Sequence, residues 1–167
     1  MNPAALYNAA VDVLNAAVAV LDANSALRAP DRRYVSVGDP ALDCDQITVA
    51  ASARPALVAS SGAGLDAARH HRRARVLVAE FRIHVVRCGY PTLDQHGNPP
   101  RDADLEAAAA AIYAEGWALF VGLNDAARAG TIGEWCGEWS VDALDPIGAE
   151  GAVAGWVVSA SASVASP

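Results

Sequence analysis

The chain has 167 residues, 53% of them hydrophobic and 19% charged, with a formal net charge of −7. That length buries roughly 70% of the unfolded surface in one domain, so a single unit spanning 1–167 with its own core is expected. The acidic balance argues against a protein whose main task is gripping nucleic acid, which ordinarily needs a basic surface. All 12 basic residues are arginine, which together with the abundant alanine reads as a GC-rich coding sequence.

Asn2-Pro3 is a helix start, with asparagine as cap and proline pre-set for the first turn. Tyr7, Val11, Leu14, Val18 and Leu21 recur at helical spacing and predict a broad apolar stripe ending near Asn24-Ser25. This segment has no basic leader and carries Asp12, Asn15 and Asp22, which points away from a signal peptide or membrane span and towards a soluble chain.

Leu27 to Asp45 is rich in turn formers and predicts an irregular connector. Gln46 to Arg54 alternates, with Ile47, Val49, Ala51 and Ala53 on one side, and predicts a one-sided strand. Residues 55–74 are expected to form a flexible inter-strand loop. The stretch from Arg75 to Gly89, RVLVAEFRIHVVRCG, sets Leu77, Ala79, Phe81, Ile83 and Val85 against Glu80, Arg82 and His84. It predicts the long central strand, stopped by Gly89-Tyr90-Pro91.

A second helix is predicted from an Asp102 cap to Gly130, with Leu105, Ala109, Ile112, Gly116, Leu119 and Leu123 on one stripe. Tyr113, Trp117 and Phe120 form a neighbouring aromatic stripe, read as core. Ala109 and Gly116 would allow close backbone approach. Gly133 to Asp142 and Val153 to Val164 alternate as two closing strands, with Trp135, Trp139 and Trp156 as packing anchors and a loop from Leu144 to Gly151 between them. Residues 165–167 are expected to be a loose tail. The expected fold is α+β: a mostly antiparallel sheet of four strands or slightly more, with two main helices on one face and a polar second face.

Several patterns were weighed for chemistry. Gly62 to Ala67 fits G-x-G-x-x-A, but no buried strand precedes it and no long helix has room to follow. A small nucleotide-binding domain using this loop remains the alternative of lowest rank. Arg69, His70, His71, Arg72 and Arg73, continued by Arg75, form the only dense basic run. With Arg82 these arginines are candidate contacts to another subunit or partner, although the acidic net charge favours reading the run as a solvated loop with weak ion pairs. Asp43, Cys44 and Asp45 with His84, Cys88 and His96 lack paired zinc-ligand spacing, so no metal is expected. Cys44, Cys88 and Cys136 are odd in number and far apart, which favours buried reduced thiols over a disulfide framework. No catalytic residue and no cofactor are assigned.

The run RRYVSVGDPALDCDQITVA, the strand end VVRCGYP, the turn DQHGNPP and the closing IGAEGAVAGWVVSASASV together resemble the tail terminator proteins of siphophages infecting actinobacteria. The likeness extends from Arg32 to Val164. It implies a structural, non-enzymatic virion subunit with a fold like the lambda tail terminator group. It further implies assembly in the host bacterial cytoplasm into a hexameric ring in the neck of the virion. Such a ring caps the tail tube, stops polymerisation of the tail tube protein and offers a joining surface to the head-completion or connector protein. DNA would pass through its lumen without specific binding, and no membrane is involved. Another phage neck or head-completion role is the nearest alternative.

Overall fold

The computed structural model describes residues 2–24, 27–58, 74–150 and 152–164; residues 56–58, 74–76, 149 and 150 are described by backbone alone. Helix α1 spans Pro3–Ala23, followed by strands β1 (Arg32–Ser36), β2 (Gln46–Val58) and β3 (Ala74–Cys88). Helix α2 spans Asp102–Arg128, and strands β4 (Cys136–Glu150) and β5 (Val153–Val164) close the chain. The fold is α+β, with a five-stranded mixed sheet in the order β1-β2-β3-β5-β4.

Only β1 and β2 run parallel; the other three pairings are antiparallel. Ile47, Val49 and Ala51 lie opposite Val85, Ile83 and Phe81, which in turn lie opposite Trp156, Val158 and Ala160 on β5. Directly opposed residues share a face, so these rows make one continuous apolar surface. Both helices pack on it.

Helix α1 begins as the sequence requires: the Asn2 side chain accepts a hydrogen bond from the Ala5 N–H at 2.8 Å, and Pro3 occupies the first helical position. Its buried face runs through Ala10, Val13, Leu14, Ala17 and Leu21, and Tyr7 is exposed. The face is therefore rotated from the expected stripe. Alanines at 9, 10, 16 and 17 are buried, because small side chains let the helix axis approach the sheet. In helix α2 the N-cap position is Arg101, whose side chain makes no capping hydrogen bond, and Asp102 and Asp104 occupy the first turn, where carboxylates favour the positive helix end. By length and composition alone, both helices are apolar enough to cross a membrane; here α1 lies on the sheet with its apolar face in the core.

Three expected boundaries are corrected. The connector from Leu27 to Asp45 contains β1, a short edge strand. The 55–74 loop is shorter than expected, since Pro55 to Val58 pair with Ala74 to Leu77; the rest of that loop and the 165–167 tail lie outside the described residues. The Leu144–Gly151 loop is mostly strand, as β4 runs on to Glu150 through three register irregularities. β4 is an edge strand, where Pro146 can face away from the ladder without removing a needed donor.

Gly116 packs against β5: a Cβ there would lie 2.5 Å from the Trp156 ring. The Trp156 indole N–H donates to the Ile112 carbonyl of the same helix. Helix propensity favours Gly116→Ala by about 1 kcal/mol, whereas forcing a methyl against a buried ring costs about 1–3 kcal/mol. Gly116→Ala should therefore lower stability by about 1 kcal/mol net in urea unfolding. A stabilised variant would show that α2 does not sit this close to Trp156.

Candidate functional site

The polar face of the sheet is built by the residues between those of the core rows. Thr48 lies opposite His84, and His84 opposite Val157; Ala50 lies opposite Arg82, and Arg82 opposite Ser159; Ser52 lies opposite Glu80, and Glu80 opposite Ser161. This face is not fully open. The segment from Val37 to Asp45, joining the parallel strands β1 and β2, returns across it as a strap. Arg82 Nη1 donates to both carboxylate oxygens of Asp39, at 2.6 and 2.7 Å. Gln46 Nε2 donates to the Ala41 carbonyl at 2.6 Å, and Tyr34 donates to Gln46 Oε1 at 3.1 Å. Arg32 pairs with Asp43.

Beneath the strap, Gln46, Thr48 and His84 are buried. Thr48 Oγ1 and both His84 ring nitrogens have no hydrogen-bond partner among the described residues. Asp39 stands 3.6 Å from His84 Nε2. Beyond the strap, the open part of this face forms a cavity of about 560 Å³ whose polar walls include Asp39, Glu80, Arg82 and Asp142.

Of the candidate contact arginines, Arg82 is thus committed to Asp39, and its charge serves the strap. Arg75 lies in β3 opposite Leu57. Arg69, Arg72 and Arg73, with His70, His71 and the Gly62–Ala67 loop, lie outside the described residues. The six residues weighed as a metal set divide: Cys44 and Cys88 are disulfide-bonded, His84 is under the strap, and His96 lies in an exposed turn. No group of three or more metal-binding side chains occurs among the described residues.

The disulfide corrects the expectation of buried reduced thiols. The β2–β3 pairing of Gln46 with Val86 and Ile47 with Val85, extended by two residues, sets Cys44 against Cys88. Their Cα atoms are 5.1 Å apart, as for residues facing each other across a ladder. Both residues are exposed. Cys136 is the free thiol, and partial burial raises its pKa, which disfavours the thiolate needed of a nucleophile.

The aromatic stripe of α2 is also corrected. Tyr113 and Trp117, expected in the core, are each 63% exposed, and neighbouring Val121 is 39% exposed. Trp117 stacks on Phe120 at 5.5 Å between ring centres, and Val121 and Ala118 continue this patch towards Val20 and Ala23 of α1. By contrast Trp156 is buried, and Trp135 and Trp139 lie against Phe81 at 5.6 and 6.0 Å, as sheet anchors should.

One buried feature has no counterpart in the sequence reading. Glu115 on α2 is 1% exposed. Arg87, at the end of β3, donates from Nε to Glu115 Oε1 at 2.9 Å and from Nη2 to the same oxygen. Nη2 also donates to the Arg28 carbonyl. The pair lines a cavity of about 390 Å³ with Cys88, Tyr90 and Ile112. A single acid between Ala114 and Gly116, in an alanine-rich run, was the only signal.

No protein-family model matches the chain, and no curated protein matches it.

Two outcomes follow from these groups. Burial holds the His84 pKa below the ordinary 6.5, with the Arg82 charge adding to the effect and Asp39 opposing it. The unfolded chain then binds the proton more readily, so His84 lowers stability as pH falls below about 6.5. His84→Gln should flatten the stability profile between about pH 6.5 and 5, read as denaturation midpoints; an unchanged slope would mean that His84 is not the titrating group. Glu115→Ala leaves the Arg87 charge without its partner and should cost about 3 kcal/mol. An Arg87→Met, Glu115→Leu double variant should recover most of that loss in the same chemical denaturation measurement.

Proposed function

We propose that the protein is a self-assembling structural subunit, and specifically a phage tail terminator: a ring that caps a tail tube and joins it to the head connector. The observation that carries the reading is the exposed apolar face of α2. Only Glu115, Gly116, Leu119 and Leu123 of this long helix are buried, while Tyr113, Trp117 and Val121 face outward along an alanine-rich surface. Exposed aromatic patches of this kind on a folded chain mark surfaces that another protein covers.

Two further features agree with it. The β2–β3 ladder continues from Val78 to Ala74 beyond the last β5 pairing at Val78–Ser163, so a two-stranded ribbon projects from the sheet. Such a ribbon is marginal alone and gains stability by packing against a neighbour. The net charge of −7 suits a lumen through which DNA moves without adhering. The tail terminator assignment itself rests on the motifs from Arg32 to Val164 that resemble that family. Head-to-tail contacts that close after a fixed number of copies give a ring, and capping follows from shape alone; no bond need be made or broken.

Native mass spectrometry and negative-stain imaging of the purified chain should show a closed ring. Trp117→Asp should shift the population to monomer at least tenfold at equal concentration, with the far-ultraviolet circular dichroism unchanged. A chain that stays monomeric at every concentration would overturn the reading. Binding to isolated tail tubes rather than to DNA-filled heads separates a terminator from other neck proteins.

A further inference from the structure

We propose that α2 pairs antiparallel with the α2 of a second copy of this chain, through the helix face turned away from the sheet. Ala107, Ala110, Ala114, Trp117, Val121 and Asn124 follow one another at alternating steps of three and four residues. That spacing keeps a seam on one side of a helix. Ala103 and Arg128 continue it by four residues at either end. The seam lies on the far side of α2 from buried Glu115, Gly116, Leu119 and Leu123, and all of it except half-buried Asn124 is exposed. Trp117, 63% exposed, stands in its middle.

The sizes along the seam decide the direction. Its first half is alanine throughout, and every residue of its second half is larger. Set antiparallel about a two-fold axis between Ala114 and Trp117, each larger residue meets an alanine of the other copy. Trp117 meets Ala114, Val121 meets Ala110, Asn124 meets Ala107 and Arg128 meets Ala103. Facing large residues with small ones fills a helix interface without voids, and the two-fold axis supplies that match from one sequence. A parallel pair would set Trp117 on Trp117 and leave the alanine layers hollow.

The flanking groups agree. Antiparallel pairing brings Tyr113 beside Phe120 of the second copy, extending the stack that Trp117 and Phe120 already make. Asn124 enters the seam with one amide N–H already donated to the Phe120 carbonyl at 2.9 Å, so that donor is met when the seam is covered. Arg128 arrives beside the acidic start of the other helix, at Asp102, Asp104 and Glu106, whereas a parallel pair sets those acids against their own copies. Asp104 and the second copy's Asp125 come near each other. Each is held by an arginine of its own chain, Arg101 at 2.8 Å and Arg128 at 3.2 Å.

The pairing takes the α2 surface that supports the assembly reading and gives it an occupant and a symmetry. A two-fold contact is complete at two copies, and a ring needs a further, head-to-tail surface. The pair therefore stands or falls separately from the ring.

The test is a cross-link. In a Cys136→Ser chain, whose remaining cysteines form the Cys44–Cys88 disulfide, Ala110→Cys and Val121→Cys are made as separate variants and oxidised with copper–phenanthroline. The mixture should give at least tenfold more disulfide-linked dimer on a non-reducing gel than either variant alone. Facing positions are within disulfide reach, whereas the two Ala110→Cys sites of a pair lie about 16 Å apart along the axis. Ala107→Cys with Asn124→Cys should repeat the result, and decides the matter if the first variants do not fold. Dimer from each variant alone at the level of the mixture, or no dimer from the mixture, would overturn the pairing. A ring in negative stain without the mixed cross-link overturns the pairing and keeps the ring. A mixed cross-link in a chain that never exceeds two copies keeps the pairing and removes the ring.

Discussion

The register between β2 and β3 is the constraint from which the rest of this structure follows. Setting Ile47 against Val85 and Val49 against Ile83 places these side chains and Phe81 under the helices. The same register places Thr48 against His84 and Ala50 against Arg82 on the opposite face. A slip by one residue would exchange the two faces, exposing Phe81 and burying Arg82 and Glu80. It would also separate Cys44 from Cys88 and misplace the strap. Apolar burial thus selects the register, and the register alone decides which polar groups meet.

That dependence explains what could be read from the sequence and what could not. The strands β2, β3 and β5 were legible because each alternates strictly over several residues, and alternation is a local signal. The helices were legible for the same reason. β1 was not: Arg32 to Ser36 is short, lies among turn formers, and pairs parallel with β2, which leaves no pattern of its own. The far half of β4 was hidden by Pro146 and two glycines, which read as a loop unless the strand is known to be an edge. The disulfide was hidden most thoroughly. Spacing rules look for cysteines close in sequence, whereas Cys44 and Cys88 are 44 residues apart and face each other only through the register.

The aromatic residues of α2 show a different limit. Periodicity identifies which residues share a helix face, but in an alanine-rich helix several faces look equally apolar. The structure chooses the face bearing Gly116, Leu119 and Leu123, because Gly116 admits the Trp156 ring and a larger residue would not. Tyr113 and Trp117 are turned outward as a consequence. Tyr113 still packs its ring edge on Trp156 at 5.3 Å, so the outward surface is anchored to the core and is held rigidly in place for contact. An aromatic side chain anchored in this way would lose little conformational freedom if another surface covered it.

Two buried polar centres lie along β3, and each is met only in part. At one end of β3, Arg87 supplies Glu115 Oε1 with an ionic partner and also donates to the Arg28 carbonyl. Helix α2, β3 and the chain after α1 are thereby tied to one another, while Glu115 Oε2 is buried with no partner among the described residues. Within the same strand, His84 is given a carboxylate at 3.6 Å, too far for a hydrogen bond, while Thr48 across from it is given nothing among the described residues. Each such group weakens the packing around it, so the apolar register that brings these strands together must outweigh that cost. The strap is held by its own chain to β1 and β2, and the Cys44–Cys88 disulfide ties its β2 end to β3 as well.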